Sequence, residues 1–293
     1  MADSQSPENI ARVKSVESLP PLRDVIADHG LSAQKALGQN FLLDMNITDK
    51  IVREAMLRDG DDWSGVHAFE IGPGPGGLTR SLLKSQVEKV RALELDKRAV
   101  GALGGLVSAS GGDLEVLQCD AMKEDLTLMS DSPRVIVANL PYNIATPLLI
   151  SWLKQIRNNS GAYKSMTLMF QKEVTDRIVA NSGSKAYGRL SIITQWLCKA
   201  SVIYDLPPSA FTPPPKVMSA VVHLSPKVLS DNEPTFSDLE KLSAAAFNKR
   251  RKMIRSSLKD YMPAIESLGI DPQLRAENLT VEDFLNIARF KSA

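Results

Sequence analysis

The sequence predicts an α/β fold: a mostly parallel, doubly wound sheet followed by a small all-α region. Three observations predict it. Short apolar runs of strand length alternate with helical periodicity between residues 67 and 180. A glycine-rich loop, Gly72-Pro-Gly-Pro-Gly-Gly77, follows the first of those runs and opens a helical pattern. From residue 237 onward the periodicity is helical throughout. The length, 293 residues, suits roughly two domains, and 43% hydrophobic and 24% charged residues are ordinary globular usage. Such a chain can bury a sizeable core.

Composition also excludes. No apolar stretch approaches the ~20 residues that span a bilayer, and the first residues lack the apolar core of a secretory signal. Cys119 and Cys198 are too few for a disulfide framework or a zinc ribbon, and both are expected as buried thiols. His29, His67 and His223 show no ligand spacing, so no metal is expected. With 35 basic and 34 acidic residues the net charge is +1, so any nucleic-acid surface must come from local segregation of charge. The expectation is a cytoplasmic, monomeric protein.

The elements follow in order. Residues 1–21 are polar and read as a flexible tail. Ile47, Ile51, Val52, Ala55 and Met56 recur at helical spacing, with Asn46 or Thr48 as the cap. His67–Ile71 is a strand, Leu78–Lys84 a helix, and Lys89–Leu95 a second strand. A helix starts at Asp96 and ends before Ser108–Gly112. Leu114–Cys119 and Arg134–Ala138 are the third and fourth strands, Ala145–Ile156 a helix, Ser165–Phe170 the fifth strand and Glu173–Ala180 a helix. Val202–Leu206 and Val217–Leu224 have little helix between them and form a hairpin, which makes one sheet edge antiparallel. His223 alternates along that last strand and is read as structural. Residues 226–236 are polar with two prolines, so the domains run 22–226 and 227–293.

Gly72-x-Gly74-x-x-Gly77 lets the backbone turn sharply and approach a nucleotide closely. Alone it is a weak signal, since glycine turns also serve as plain connectors. Context strengthens it. Glu94 ends the next strand, where a carboxylate accepts hydrogen bonds from ribose hydroxyls. Asp120 ends the third strand, where it can meet an adenine amino group. Three strand ends thus address one crevice, the position where open α/β sheets bind ligands. A nicotinamide or an adenosyl cofactor is still open at this point.

Asn139-Leu140-Pro141-Tyr142 ends the fourth strand. Pro141 keeps Leu140 extended and leaves the Asn139 amide and the Leu140 carbonyl free to accept two hydrogens from one planar NH2. Tyr142 can stack on the ring that carries it. The natural guest is adenine N6. Its lone pair is delocalised into the ring; accepting its hydrogens drives nitrogen toward sp3 geometry, ready for in-line attack on a sulfonium methyl. That is differential stabilisation of a transition state, and it requires neither metal nor covalent intermediate.

These residues resemble a known family. Asn139–Tyr142 is similar to the Asn-[Leu/Ile/Pro]-Pro-[Tyr/Phe/Trp] motif of S-adenosylmethionine-dependent amino methyltransferases. Gly38-Gln-Asn-Phe-Leu42 resembles the amino-terminal motif of the rRNA adenine N6,N6-dimethyltransferases, and Phe211–Ser219 their aromatic-proline motif. Phe247–Leu258 resembles the basic segment of the KsgA-type, small-subunit branch. The resemblance spans about residues 22–260 in the family's order. It implies a class I methyltransferase (Rossmann-like) seven-stranded sheet with a helical carboxy-terminal domain, and S-adenosylmethionine as methyl donor. By resemblance, Asn40 and Leu42 close over the cofactor, Gly72 and Gly74 lie beside its methionine part, Glu94 takes the ribose and Asp120 the adenine. Asn139 lies near the transferred methyl, and Tyr142 and Phe211 sandwich the target base. The implied substrate is a pair of adjacent adenines near the 3′ end of small-subunit (16S) rRNA, and the implied partner the small ribosomal subunit. The chain departs from the pattern in its longer amino-terminal tail and in Pro75-Gly-Gly, where many members carry an apolar residue and alanine.

Lys241, Lys249, Arg250, Arg251, Lys252, Arg255 and Lys259 fall in one acid-free block, an electrostatic footprint for phosphates. On a helix Lys249, Lys252 and Arg255 share one face while Phe247, Ile254 and Leu258 turn inward. Lys172, Arg177 and Arg189 are expected to extend this surface. Three other readings compete. A large-subunit rRNA adenine methyltransferase fits the basic segment less well. A non-catalytic assembly or transcription factor is not indicated, because every expected chemical group is present. A nicotinamide oxidoreductase leaves Asn139–Tyr142 and Gln39–Leu42 unexplained.

Overall fold

The computed structural model describes residues 7–34, 38–248 and 251–292. The chain opens differently from the expected tail. Pro7–Glu17 is a helix, α1, whose Val16 and Arg12 are buried. Arg12 Nη1 donates to Asp113 Oδ2 at 2.7 Å and Nη2 to the Ser85 carbonyl at 3.0 Å. These partners lie 101 and 73 residues away, so the polar segment shows no local sign of its docking. Helix α2 (Leu22–Asp28) and the two-residue strand β1 (Phe41–Leu42) follow. Helix α3 (Met45–Arg58) is capped by Asp44, which accepts from the Asn46 N–H at 2.9 Å, two residues before the earlier of the two expected caps.

The α/β succession then follows the reading, except that the one helix expected between Asp96 and Ser108 is two short helices, the second ending at Ala109: β2 (His67–Ile71), α4 (Gly77–Leu83), β3 (Lys89–Glu94), α5 (Lys97–Ala102), α6 (Gly104–Ala109), β4 (Leu114–Gln118), β5 (Arg134–Asn139) and α7 (Tyr142–Asn158). Next come β6 (Ser165–Gln171), α8 (Lys172–Val179), α9 (Arg189–Leu197), β7 (Cys198–Leu206), β8 (Phe211–Thr212) and β9 (Ser219–Pro226). The sheet holds seven strands among the described residues, in the order β4-β3-β2-β5-β6-β9-β7. β2 to β6 pair in parallel, whereas β9 is antiparallel to both β6 and β7. The antiparallel edge matches the expected hairpin. Helix α9 is an element the sequence reading lacks.

β2 pairs with both β3 and β5, so the winding reverses there and a crevice opens beyond the strand ends. Strand residues alternate between two apolar clusters. Ile136 and Ala138 enter one with α7 and α9; Val135 and Val137 enter the other with α3 and α4. His223 is buried between the layers: its Nδ1 meets Thr167 Oγ1 at 2.8 Å, and its Nε2 lies 3.4 Å from Asp59 Oδ1. That placement is structural.

The carboxy-terminal helices α10 (Phe236–Phe247), α11 (Ile254–Ser257), α12 (Met262–Ser267) and α13 (Val281–Ser292) pack into the same cluster as α7 and α9. Their core is therefore continuous with one face of the sheet.

Candidate active site

A cavity of about 350 Å³ sits at the carboxyl ends of β2, β3 and β5. Its size suits a small-molecule cofactor. Gly72, Gly74, Glu94, Asp120 and Asn139 line it, as the strand-end reading requires. Leu140, Pro141 and Tyr142 form a second wall; Asn40 and Leu42 form a third.

The glycine loop does two jobs. Gly72 and Gly74 have φ of +68° and +55°, a region that side chains disfavour. Gly74 also admits a neighbour, since a Cβ there would stand 2.9 Å from the Phe41 ring. A Cβ on Gly77 would lie 2.6 Å from the Leu42 carbonyl oxygen, closer than van der Waals contact allows. The Gly38–Leu42 segment thus straps down over the loop, and Pro75-Gly-Gly leaves room for it.

Glu94 is buried at the end of β3. Its Oε2 accepts from the Gly74 N–H at 3.1 Å and its Oε1 from the Asp96 N–H at 2.8 Å. Burial raises its carboxyl above the usual range, against the pull of these backbone donors. The carboxylate is thereby tied to the glycine loop while facing the cavity. Asp120 is both a cap and a wall residue: its Oδ1 accepts from the Met122 N–H at 3.0 Å.

Asn139 is oriented by the strap. Its Nδ2 donates to the Asn40 carbonyl at 2.9 Å. A carbonyl can only accept, so the amide NH2 must face Asn40 and Oδ1 is left as the acceptor. Tyr142 begins α7, and its hydroxyl shares a 2.6 Å hydrogen bond with Ser219 Oγ. Burial pushes this phenol up, so it stays protonated at neutral pH.

Phe211 is not brought to the cavity. β8 pairs antiparallel with β1, Leu42 opposite Phe211, and the ring is only 3% exposed, within the same apolar cluster as Leu42. The expected Tyr142–Phe211 sandwich is therefore not assembled here. A two-residue ladder between segments 170 positions apart leaves no periodic signal in the sequence.

The basic segment is not one helix. Ile254 N–H donates to the Leu274 carbonyl at 2.8 Å and Arg255 N–H to Pro272 at 3.1 Å, which breaks the run before α11. Ile254 and Leu258 are buried as expected, and Arg251, Lys252 and Arg255 are exposed. Lys249 and Arg250 lie outside the described residues. Lys172 is matched by Asp176 at 2.7 Å and Arg177 by Glu173, so neither offers a free charge to RNA. Cys198 is buried as expected, but Cys119 is half-exposed at the cavity wall.

Three contributors had no role assigned from the sequence, although Gln39 and Ser219 lie within its motifs. Glu70 lines the cavity, and burial raises its carboxyl to about 8. Thr79 faces that carboxyl without full hydrogen-bond geometry, and Glu70 Oε2 has no partner among the described residues. The signal was present: an acid in an otherwise apolar strand beside the glycine loop. Gln39 makes a long 3.4 Å hydrogen bond to Asp96 Oδ2, joining the strap to the end of β3. Ser219 holds Tyr142. These last two pairings span 57 and 77 residues.

The residues present fit an adenosyl cofactor: a loop with glycine at its turning points, carboxylates at successive strand ends, and an orphaned buried acceptor. Among the described residues no group of His, Cys, Asp or Glu could hold a metal, and no helix is long and apolar enough to cross a membrane.

Comparison with known proteins agrees with this geometry. A dimethyladenosine transferase from Plasmodium falciparum superposes with a TM-score of 0.69 at 28% identity, over 83% of this chain and 94% of that one. The 23S rRNA methyltransferase ErmE shares the fold, with a TM-score of 0.65 at 21% identity over 86% of this chain and all of that one. Two proteins named ribosomal RNA small subunit methyltransferase A are similar over nearly their whole length. That of Ruegeria sp. is 50% identical, covering 94% of this chain and 98% of its own. That of Rhodospirillum rubrum is 46% identical, covering 97% and 96%. The family model for ribosomal RNA adenine dimethylase matches residues 30–293. With its glycine loop, strand-end acids and Asn139–Tyr142 wall in one cavity, the chain belongs to the ribosomal RNA adenine dimethylase family.

Proposed function

We propose that this protein transfers methyl groups from S-adenosylmethionine to N6 of two adjacent adenines near the 3′ end of small-subunit rRNA, giving N6,N6-dimethyladenosines. The observation that carries it is the Asn139 amide. Asn40 fixes its NH2, so Oδ1 is presented as an acceptor beside Tyr142. Family membership and the names of the small-subunit relatives support the substrate class.

The cofactor supplies an electrophilic methyl on a sulfonium centre. Glu94 would hold its ribose, Asp120 its adenine and the Gly72–Gly74 backbone its methionine part, with Asn40 and Leu42 closing over it. Asn139 Oδ1 and the Leu140 carbonyl accept the two N6 hydrogens and localise the nitrogen lone pair toward the methyl. Pro141 keeps that carbonyl turned inward, and Tyr142 stacks on the base. The adenine must be unstacked or extruded to enter. Arg251, Lys252 and Arg255, with Lys249 and Arg250, would meet RNA phosphates from the 227–293 region.

The test uses small ribosomal subunits lacking the modification and methyl-labelled S-adenosylmethionine, followed by digestion and identification of labelled nucleosides. Dimethyladenosine at two adjacent positions is expected. Asn139→Ala should abolish labelling while cofactor binding by calorimetry is largely kept. Small-subunit RNA without label, or full turnover by that variant, would overturn the reading.

A further inference from the structure

Tyr142 needs more than a place in the wall. A stacking ring orients its guest only if the ring itself is held in place. It stands in the first turn of α7, where Pro141 provides no side-chain cap. Among the described residues its side chain makes one hydrogen bond, the 2.6 Å contact to Ser219 Oγ. Ser219 is fully buried at the start of β9, between Gln171 of β6 and Leu206 of β7. It is anchored on both sides by the sheet. A buried hydroxyl without a partner is costly, so the two hydroxyls hold each other.

The same short segment has two anchors. Phe211, at its start, pairs with Leu42 of the strap, and Ser219, at its end, holds Tyr142. Between them Lys216, Val217 and Met218 are exposed, the last two at 45% and 40%. One bracket thus sets the cofactor-side wall and the base-side wall in register.

We propose that Ser219 is a positioning residue that fixes where the Tyr142 ring stands for the target adenine. The inference rests on the reading of Tyr142 as the stacking surface. It explains why a hydroxyl-bearing ring serves here, although stacking alone requires none.

The experiment is a double-mutant cycle on the full-length enzyme with Tyr142→Phe, Ser219→Ala and the pair combined. Unmodified small ribosomal subunits are the substrate, and S-adenosylmethionine affinity is measured separately. Each single change should lower kcat/KM for subunits about threefold to tenfold, the scale of one neutral hydrogen bond. Cofactor affinity should stay constant, and the double variant should be no worse than either single one. Full activity of Tyr142→Phe, or losses that multiply, would overturn the inference. So would a Ser219→Ala loss carried by weaker cofactor binding and a lower Tm, which is what a purely structural serine would give. If the unaltered enzyme methylates no subunit RNA, the parent reading fails and this one with it.

Discussion

Glu70 is a buried acid whose environment opposes its ionisation. Its carboxyl is buried beside the glycine loop, and burial raises it from 4.5 to about 8, with the Glu94 charge adding to the effect and Thr79 opposing it. The folded chain therefore keeps a proton that the unfolded chain releases over that interval. The folded state binds more protons, so stability falls as pH rises from about 4.5 toward 8 and levels off above it. Glu70→Gln keeps the shape and removes the ionisation. It should raise the Tm of the cofactor-free enzyme at pH 9 by several degrees, on the order of a few kcal/mol, with little change near pH 5. Parallel melting profiles for the two proteins across that range would show that Glu70 is not perturbed.

At the scale of elements the strap is decisive. Gly38–Leu42 touches the glycine loop through Phe41, the end of β3 through Gln39, the end of β5 through Asn40 and β8 through Leu42. Four pieces of the site are set by one short segment. Gly74→Ala would force a side chain into a positive-φ position and into the Phe41 ring, a cost of about 1–3 kcal/mol. Both Tm and S-adenosylmethionine affinity should fall. A variant with both unchanged would mean that the strap shifts freely and does not shape the cavity. Helix α1 packs in the same apolar cluster as Leu42 of the strap and ties residues 7–17 to Asp113 and the Ser85 carbonyl through Arg12.

For the whole molecule the question is where the charge lies. A net charge of +1 spreads over a fold whose densest basic run without an acid falls in residues 241–259. Changing Arg251, Lys252 and Arg255 together to Gln should weaken subunit binding and reduce the slope of log affinity against log salt by about 0.7–0.9 per lost phosphate contact. Cofactor affinity, set in a different part of the fold, should not move. An unaltered salt slope would make these residues an ordinary solvated face. The carboxy-terminal helices that flank this block share one core with the sheet.

The layered α/β order, the antiparallel edge and the cavity residues at the ends of β2, β3, β4 and β5 follow from the amino-acid order alone. Each is written locally: strand-length apolar runs, glycines where the backbone must turn, polar residues at the points where those runs end. His67–Ile71 followed by Gly72–Gly77, and Asn139 before Pro141, are legible because neighbours in sequence remain neighbours in space. Only the tertiary structure decided the β1–β8 pair that buries Phe211, the Asn40 carbonyl that turns the Asn139 amide, the Ser219 grip on Tyr142 and the docking of α1. Each of these joins residues dozens to more than a hundred positions apart through one or two hydrogen bonds. Such contacts repeat with no period, and they exist only once the sheet has brought the segments together.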